Sequence, residues 1–207
     1  MSSLLGKVSP TITNMIRLDH THVLAAFHQF EADAPARVKK GLADQICLGL
    51  EVHAQLEEEI FYPALRAVAD DEVLGKSKPE HDEMRTLIGR LRQLQPSDAA
   101  FDDTLYELMR QVIHHVADEE TQLLPKAERL LSSRLSELGA QMTRRRVALV
   151  GPRAGELAGT LVRSMRGGTM LLAAAGALLV AGGWLLAHRQ RPPSAWDRVR
   201  RNVPLLR

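Results

Sequence analysis

Four stretches of the chain carry apolar residues at intervals of three and four, and this spacing limits the fold more than any other feature. Such a spacing makes one face of a helix apolar, and each helix must bury that face against its neighbours. No stretch shows the alternating pattern of a β-strand. The connecting segments 31–37, 69–78 and 95–99 have the lengths typical of antiparallel neighbours. We therefore predict an all-α protein containing an up-down four-helix bundle.

Capping signals predict where these helices begin and end. Ser9-Pro10 indicates the start of the first helix, and the capping box Ser77-Lys78-Pro79-Glu80 indicates the start of the third. The fourth helix is predicted to begin near Ser97-Asp98. Pro125 is expected to end or kink that helix, because proline lacks the backbone N–H that a helix needs.

Each apolar stripe also carries titratable residues whose types are good metal ligands. The first and third helices each contribute one histidine, and the second and fourth each contribute a His-x-x-x-Glu pair on one face. Two buried carboxylates facing four histidines need a compensating charge, which a metal centre would supply. A polar core of His–Glu hydrogen bonds is the alternative. The predicted metal ligands are His20, His53, Glu57, His81, His115 and Glu119.

Neighbouring polar residues do not share these faces. His114 and Asp118 repeat the four-residue spacing on the polar face of the fourth helix, so we expect them to be solvated. Glu58 and Glu59 are predicted to turn outward for the same reason. The single cysteine, Cys47, excludes a disulfide framework and any Cys-x-x-Cys zinc site. Mixed histidine and carboxylate ligands suit iron, and they can also bind manganese or zinc.

Four motifs resemble the hemerythrin family, specifically the HHE cation-binding domain: LDHTHV (18–23), HAQLEEEIFYPAL (53–65), PEHDEM (79–84) and HHVADEETQLLPKA (114–127). The order and spacing of the motifs are similar to those of the family, and so are the flanking YPAL and LLPKA segments. The likeness covers about residues 10–130. The resemblance implies that the six residues bind a non-haem di-iron centre. It also implies that Glu57 and Glu119 bridge the two metals, beside an open position for dioxygen, nitric oxide or peroxide.

The third helix departs from the pattern of the oxygen-carrying hemerythrins, which have two histidines four residues apart there. The positions four residues either side of His81 are Ser77 and Arg85. A water, an exogenous ligand or the phenol of Tyr62 would complete the coordination; otherwise Tyr62 is an amphipathic residue at the bundle end. The emptier coordination sphere favours reaction with the ligand over reversible dioxygen carriage.

The leading hypothesis is a di-iron protein that binds or senses a diatomic gas or peroxide. One alternative is an oxidoreductase that disproportionates peroxide or reduces nitric oxide. Another is iron storage or donation for iron–sulfur repair. The last alternative is a metal-free bundle that organises membrane partners through its tail.

The charge is divided unequally along the chain, with a net −8 over residues 1–143 and +10 over residues 144–207. Residues 170–187 contain no charge, and about 20 apolar residues suffice to cross a bilayer. We predict four regions: a hemerythrin-like bundle (1–146), a basic juxtamembrane linker (147–168), a transmembrane helix (169–187) and an Arg-rich tail (188–207). A buried Ala-rich core helix is the alternative for the third region.

These regions predict the surroundings of the chain. Anionic lipid is the expected partner of the basic part, and nucleic acid is not expected because the bundle is acidic. Ala173, Ala177 and Ala181 recur every four residues, which would allow a homodimer through the transmembrane helix. No secretory signal opens the sequence, so we expect a membrane-anchored protein with a cytoplasmic N-terminal domain.

Overall fold

The computed structural model describes residues 10–164, and every regular element in this part of the chain is helical. The elements are α1 (Ile12–His28), α2 (Ala36–Leu56), a first π turn (Glu57–Phe61), α3 (Tyr62–Arg66), α4 (Glu72–Gln93), α5 (Ala99–Asp118), a second π turn (Glu119–Leu123), α6 (Leu124–Leu130), α7 (Leu135–Val150), a 3₁₀ turn (Gly151–Arg153) and α8 (Ala154–Ser164). Helix α1 packs against α2 and α5, and α4 packs against the same two helices. The prediction of an all-α bundle is confirmed for these residues.

Two of the predicted helix starts are wrong. Helix α1 begins at Ile12, where the hydroxyl of Thr11 accepts a hydrogen bond from the backbone N–H of Asn14 at 3.3 Å. Helix α4 begins five residues before Ser77, because the carboxylate of Asp71 caps it by accepting from the N–H groups of Val73 and Leu74. The hydroxyl of Ser77 instead donates to a carbonyl one turn earlier, inside the helix. The predicted start of the fourth helix agrees with the structure, since Asp98 is the N-cap of α5.

A π turn interrupts each helix that carries a His-x-x-x-Glu pair. The N–H of Tyr62 donates to the carbonyl of Glu57, and the N–H of Leu124 donates to that of Glu119, five residues back in both cases. A proline follows each turn, in the first turn of α3 and of α6. The helical path therefore continues through Pro125 after a local widening. Insertions of this kind occur frequently at functional sites.

The six predicted ligands occupy the same level of the bundle, between two apolar clusters. The first cluster includes Ile16 of α1, Leu56 of α2, Leu74 of α4 and Leu123 after α5. The second includes Phe27, Ile46, Ile88 and Val112 from the same four helices. His20 on α1 and His81 on α4 lie between the contributions of their helices to the two clusters, and Glu119 lies between Val116 of the second cluster and Leu123 of the first. The apolar packing therefore holds a polar layer inside the core.

Two further helices pack outside the four-helix ring. Helix α7 contacts α1 and α2, and α8 lies along α2. The predicted domain boundary at residue 146 falls within α7, and α8 falls within the predicted linker 147–168. Among residues 10–164, no helix is long and apolar enough to cross a membrane. The predicted transmembrane helix (169–187) and Arg-rich tail (188–207) lie outside the described residues.

The contact between α7 and the start of α1 depends on a glycine. A Cβ atom on Gly139 would lie 2.0 Å from the carbonyl oxygen of Pro10 and 3.1 Å from the nitrogen of Ile12. We expect Gly139→Ala to lower the free energy of unfolding by about 1–3 kcal/mol, measured by urea denaturation. Gly89→Ala is the control, because its Cβ meets nothing within 4 Å, and it should gain about 0.5–1 kcal/mol. An unchanged midpoint for Gly139→Ala would contradict this packing of α7.

Candidate metal centre

The structure brings all six predicted ligands together in the core, where none is more than 7% exposed. They form two overlapping groups, and in each group one potential ligand atom per residue lies within 4.8 Å of the others. The first group is His20, His53, Glu57 and Glu119, and the second is Glu57, His81 and His115. The two groups share Glu57.

The histidines pair across neighbouring helices. His20 of α1 lies beside His53 of α2, with ring centroids 5.0 Å apart. His81 of α4 lies beside His115 of α5, with centroids 4.7 Å apart and Nε2 atoms 3.1 Å apart. The sequence does not reveal this pairing, because each pair joins positions more than 30 residues apart.

The two glutamates cross between these histidine pairs. Glu57 Oε2 lies 3.2 Å from His53 Nε2 and 3.5 Å from His81 Nε2. Glu119 Oε2 lies 3.3 Å from His20 Nε2 and 3.9 Å from His115 Nε2. Each carboxylate thus contacts one histidine of each pair, which is the arrangement that a bridging ligand requires.

A carboxylate also contacts the outer nitrogen, Nδ1, of every one of these histidines. The Nδ1 distances are 2.8 Å for His20–Glu120, 3.4 Å for His53–Asp19, 3.0 Å for His81–Glu58 and 2.7 Å for His115–Glu80. We call these four acids the outer carboxylates. A histidine that donates its Nδ1–H to a carboxylate presents the lone pair of Nε2 on the other side, as metal-binding histidines do.

Arginines hold three of the outer carboxylates in place. Arg17 donates to Glu120 at 3.1 Å, Arg85 donates to Glu58 at 2.7 Å, and Arg146 donates to both oxygens of Asp19 at 2.6 and 2.5 Å. Arg146 belongs to α7, so a helix outside the bundle ring supports His53 through Asp19.

The positions of the outer carboxylates show that the prediction for Glu58 is wrong. They also show that the sequence contains a signal for these acids that the prediction did not use. Glu58 is not solvated, because the widened backbone of the first π turn keeps it beside His81, whereas Glu59 does pair with Arg145 at the surface. The sequence contains a signal for all four acids. Two of them directly precede a histidine ligand, and the other two directly follow Glu57 and Glu119.

Tyr62 points into the same cluster and is only 2% exposed, so the interpretation as an amphipathic residue at the bundle end is wrong. Its hydroxyl lies 2.9 Å from Glu119 Oε1 and 3.1 Å from Glu57 Oε2, and it can donate to either carboxylate. It also lies 3.4 Å from His81 Nε2. Burial, followed by the charges of the two glutamates, raises the pKa of Tyr62 well above its usual value. The phenol therefore keeps its proton.

Several buried polar atoms of the cluster have no hydrogen-bond partner. They are His20 Nε2, His53 Nε2, Glu57 Oε1 and Glu119 Oε2. Buried polar atoms are almost always satisfied, so four orphaned atoms in one place call for an explanation. All four are lone-pair donors of the kind that bind iron, manganese or zinc. A metal cation fits these residues chemically.

Comparison with known proteins decides the family. The sequence profile of the hemerythrin HHE cation binding domain matches residues 11–127, which is more than half of the chain. The chain belongs to the hemerythrin HHE cation-binding family. The resemblance inferred from the four motifs is thereby confirmed.

Two similar proteins extend this comparison. A crystal structure of a hemerythrin HHE cation-binding domain-containing protein from Mycobacterium kansasii is 21% identical, with a TM-score of 0.61. It covers 75% of this chain and 99% of its own, and it supports the fold. A protein described as a DNA nickase from Nostoc sp. (strain PCC 7120) is 30% identical over 132 residues, or 63% of this chain. The present chain spans only 37% of that relative's length.

The electrostatics of this HHE domain agree with a site for cations. Burial, together with the nearby charge of Glu119, raises the pKa of Glu57 well above its usual value. Burial also acts to raise the pKa of Glu119, but His20 and the other histidines outweigh it and lower the pKa. Burial lowers the pKa of His53 to about 4. For His20 the carboxylates of Glu119 and Glu57 outweigh burial and raise the pKa to about 9. The proton on His20 thus supplies positive charge to the metal-free cluster.

Proposed function

We propose that this HHE domain holds a non-haem di-iron centre. One ion would lie between His20 and His53 and the other between His81 and His115, with Glu57 and Glu119 bridging them. The carrying observation is the set of four buried atoms without a hydrogen-bond partner, two in the His20–His53 pair and two in the glutamates Glu57 and Glu119. Iron is favoured over manganese and zinc because the family is one of cation-binding domains that typically take iron.

The proposed activity is binding or sensing of a small ligand, namely dioxygen, nitric oxide or peroxide. When bound, the iron centre would supply redox chemistry and an exchangeable coordination position. The chain's own residues would orient and insulate it. The outer carboxylates fix the histidine rings, and the two apolar clusters exclude bulk water from the polar layer.

A specific observation favours an oxidoreductase as the second candidate. The protonated phenol of Tyr62 lies within hydrogen-bond distance of both bridging glutamates, in a place closed to solvent. Such a group can hold a proton beside the two carboxylates and exchange it with them during turnover. Turnover of peroxide or nitric oxide is the expected consequence of this arrangement.

The test uses the full 207-residue chain loaded with iron(II) without oxygen and then desalted. We expect about two iron ions per chain, as in other two-metal sites. The visible spectrum should change on adding dioxygen, nitric oxide or peroxide, and sustained consumption of one of them would establish the enzyme. Loss of iron during desalting, with no ligand-dependent band, would contradict the proposal.

Loading with iron should release protons. At pH 7 His20 is protonated because its pKa is about 9, and the pKa of Glu57 is shifted in the same direction. Metal binding requires His20 to be deprotonated, so about one proton should leave His20 per chain at pH 7. Iron affinity should therefore rise with pH. Calorimetric titration in two buffers of different ionisation enthalpy measures the release, and no difference between the buffers would contradict the prediction.

The surroundings of the domain are also a proposal, which the sequence supports. We propose that residues 169–187 anchor the chain in a membrane, next to anionic lipid, with the N-terminal domain in the cytoplasm. The support is the run of 18 uncharged residues and the excess of arginine around it. The nickase function of the Nostoc relative is not part of the proposal, because residues 1–143, with a net charge of −8, would repel a phosphate backbone.

A further inference from the structure

A cavity of about 300 Å³ reaches the metal centre from one side of the polar layer. All four histidines of the centre line it. Its remaining wall is mostly apolar, and seven of its residues belong to the second apolar cluster: Ala26, Ile46, Leu50, Met84, Ile88, Val112 and Val116. The cavity is thus an apolar space that ends at the two histidine pairs.

The bridging side of the centre faces the other way. Among residues 10–164, those lining this cavity do not include Glu57, Glu119 or Tyr62. Tyr62 belongs instead to the first apolar cluster. A molecule in the cavity would therefore approach the histidine pairs on the face that the carboxylates and the phenol leave uncovered.

The cavity opens at Gly49, one helical turn before His53 on α2. Gly49 lines the cavity, is exposed, and would carry a Cβ that meets no atom within 4 Å. His22 of α1 is the other exposed residue of the wall. A glycine inside a helix costs about 0.5–1 kcal/mol relative to alanine, so packing does not explain its presence here. The missing side chain leaves the mouth of the cavity open.

We propose that this cavity is the path by which an apolar diatomic gas, dioxygen or nitric oxide, reaches the centre, and that Gly49 keeps the path open. The proposal rests on the proposed function and narrows its ligand class. A peroxide molecule would lose its hydrogen bonds to water along an apolar wall, whereas an uncharged diatomic gas loses almost nothing. Passage through the cavity thus selects the gas over peroxide.

The first experiment tests the path without any metal. Xenon serves as the apolar probe, and the methyl signals of isoleucine report its position in the NMR spectrum of the full metal-free chain. Xenon should shift the signals of Ile46 and Ile88, which line the cavity, and leave that of Ile12, which is buried in the other cluster. Gly49→Leu should remove these shifts. Absence of any shift at Ile46 and Ile88 in the parent chain would overturn the proposal, whether or not the chain binds iron.

The second experiment measures how fast nitric oxide associates with the iron-loaded chain. Gly49→Leu should slow association at least about tenfold, equivalent to a barrier higher by about 1.4 kcal/mol. Gly49→Ala should slow it less. Gly89→Leu is the matched control, since Gly89 also has open space around its Cβ but does not line the cavity, and it should leave the rate unchanged.

The two experiments separate the possible failures. An unchanged association rate in Gly49→Leu, with the iron content of the parent, would overturn the path while leaving the iron centre intact. An equal slowing in Gly89→Leu would also overturn it, because the effect would then be general. If the chain binds no iron, the proposed function fails, and the xenon shifts still decide whether the cavity admits an apolar gas through Gly49.

Discussion

Replacing Glu57 with alanine is expected to abolish binding of both iron ions of the proposed centre. Glu57 is the residue shared by the two ligand groups, and its Oε2 lies within 3.5 Å of a histidine in each pair. Without it each ion loses an anionic ligand, and the two cations lose the charge that lies between them. Removal of a residue that hydrogen-bonds to a metal ligand lowers metal affinity by about 10–100-fold. Removal of Glu57, which is itself a ligand, should lower the affinity by more. Metal analysis after desalting measures it.

Two other variants test whether the loss of iron is specific to the carboxylate of Glu57. Glu59→Ala is the matched control, since Glu59 lies two residues further along and pairs with Arg145 at the surface, and it should keep the parent iron content. His81→Ala should weaken one ion first and leave the His20–His53 pair occupied. Circular dichroism of each variant checks that the helices persist. A folded Glu57→Ala chain that retains its iron would contradict the bridging role of Glu57.

Replacing Arg146 with alanine is expected to lower iron affinity by about 10–100-fold. Arg146 holds both oxygens of Asp19, which in turn contacts Nδ1 of His53. Without the arginine, Asp19 is free to turn toward solvent, and the His53 ring loses the contact that orients it. The loss of affinity should affect the ion held by His20 and His53. Competition with a coloured chelator should then show two iron-binding steps, of which only one is weaker than in the parent.

The neighbouring arginine provides the comparison. Arg145 pairs with Glu59 and has no contact with a histidine of the centre, so Arg145→Ala should bind iron as the parent does. Arg146→Lys should recover part of the affinity, because lysine restores the charge but not the two parallel hydrogen bonds. If the two alanine variants lose affinity equally, the effect comes from general charge and not from the contact with Asp19.

The bundle and its six inward residues could be predicted because both follow from helical periodicity. A residue at a given phase of an apolar stripe is buried whatever its neighbours are, and this placed His20 and Glu119 correctly. The start of α4 could not be predicted in this way. Ser77 and Pro79 form a strong local capping signal, yet the carboxylate of Asp71 caps the helix earlier. Local signals compete, and packing decides between them.

The detailed geometry of the site depends on features that cannot be read from helical periodicity. The two π turns change the phase of the helix just after each glutamate, which is why Glu58 was wrongly expected in solvent. The pairing of the histidines depends on which helices are neighbours. Arg146 lies outside the matched HHE domain, beyond residue 127, where the family motif gives no information. These contacts join residues up to 127 positions apart.

Glu57 and Glu119, which each contact both histidine pairs, occupy equivalent positions in two similar halves of the domain. Each half consists of two helices, with an acid before the histidine of the first and a His-x-x-x-Glu-Glu sequence on the second. Two copies of one such hairpin around a twofold axis would generate the same set of ligands. A dimer of that kind would hold its site only at sufficient protein concentration. Joining both halves in one chain removes that dependence, and it also permits them to differ: Tyr62 follows the first π turn, and Leu124 occupies the equivalent position in the second half.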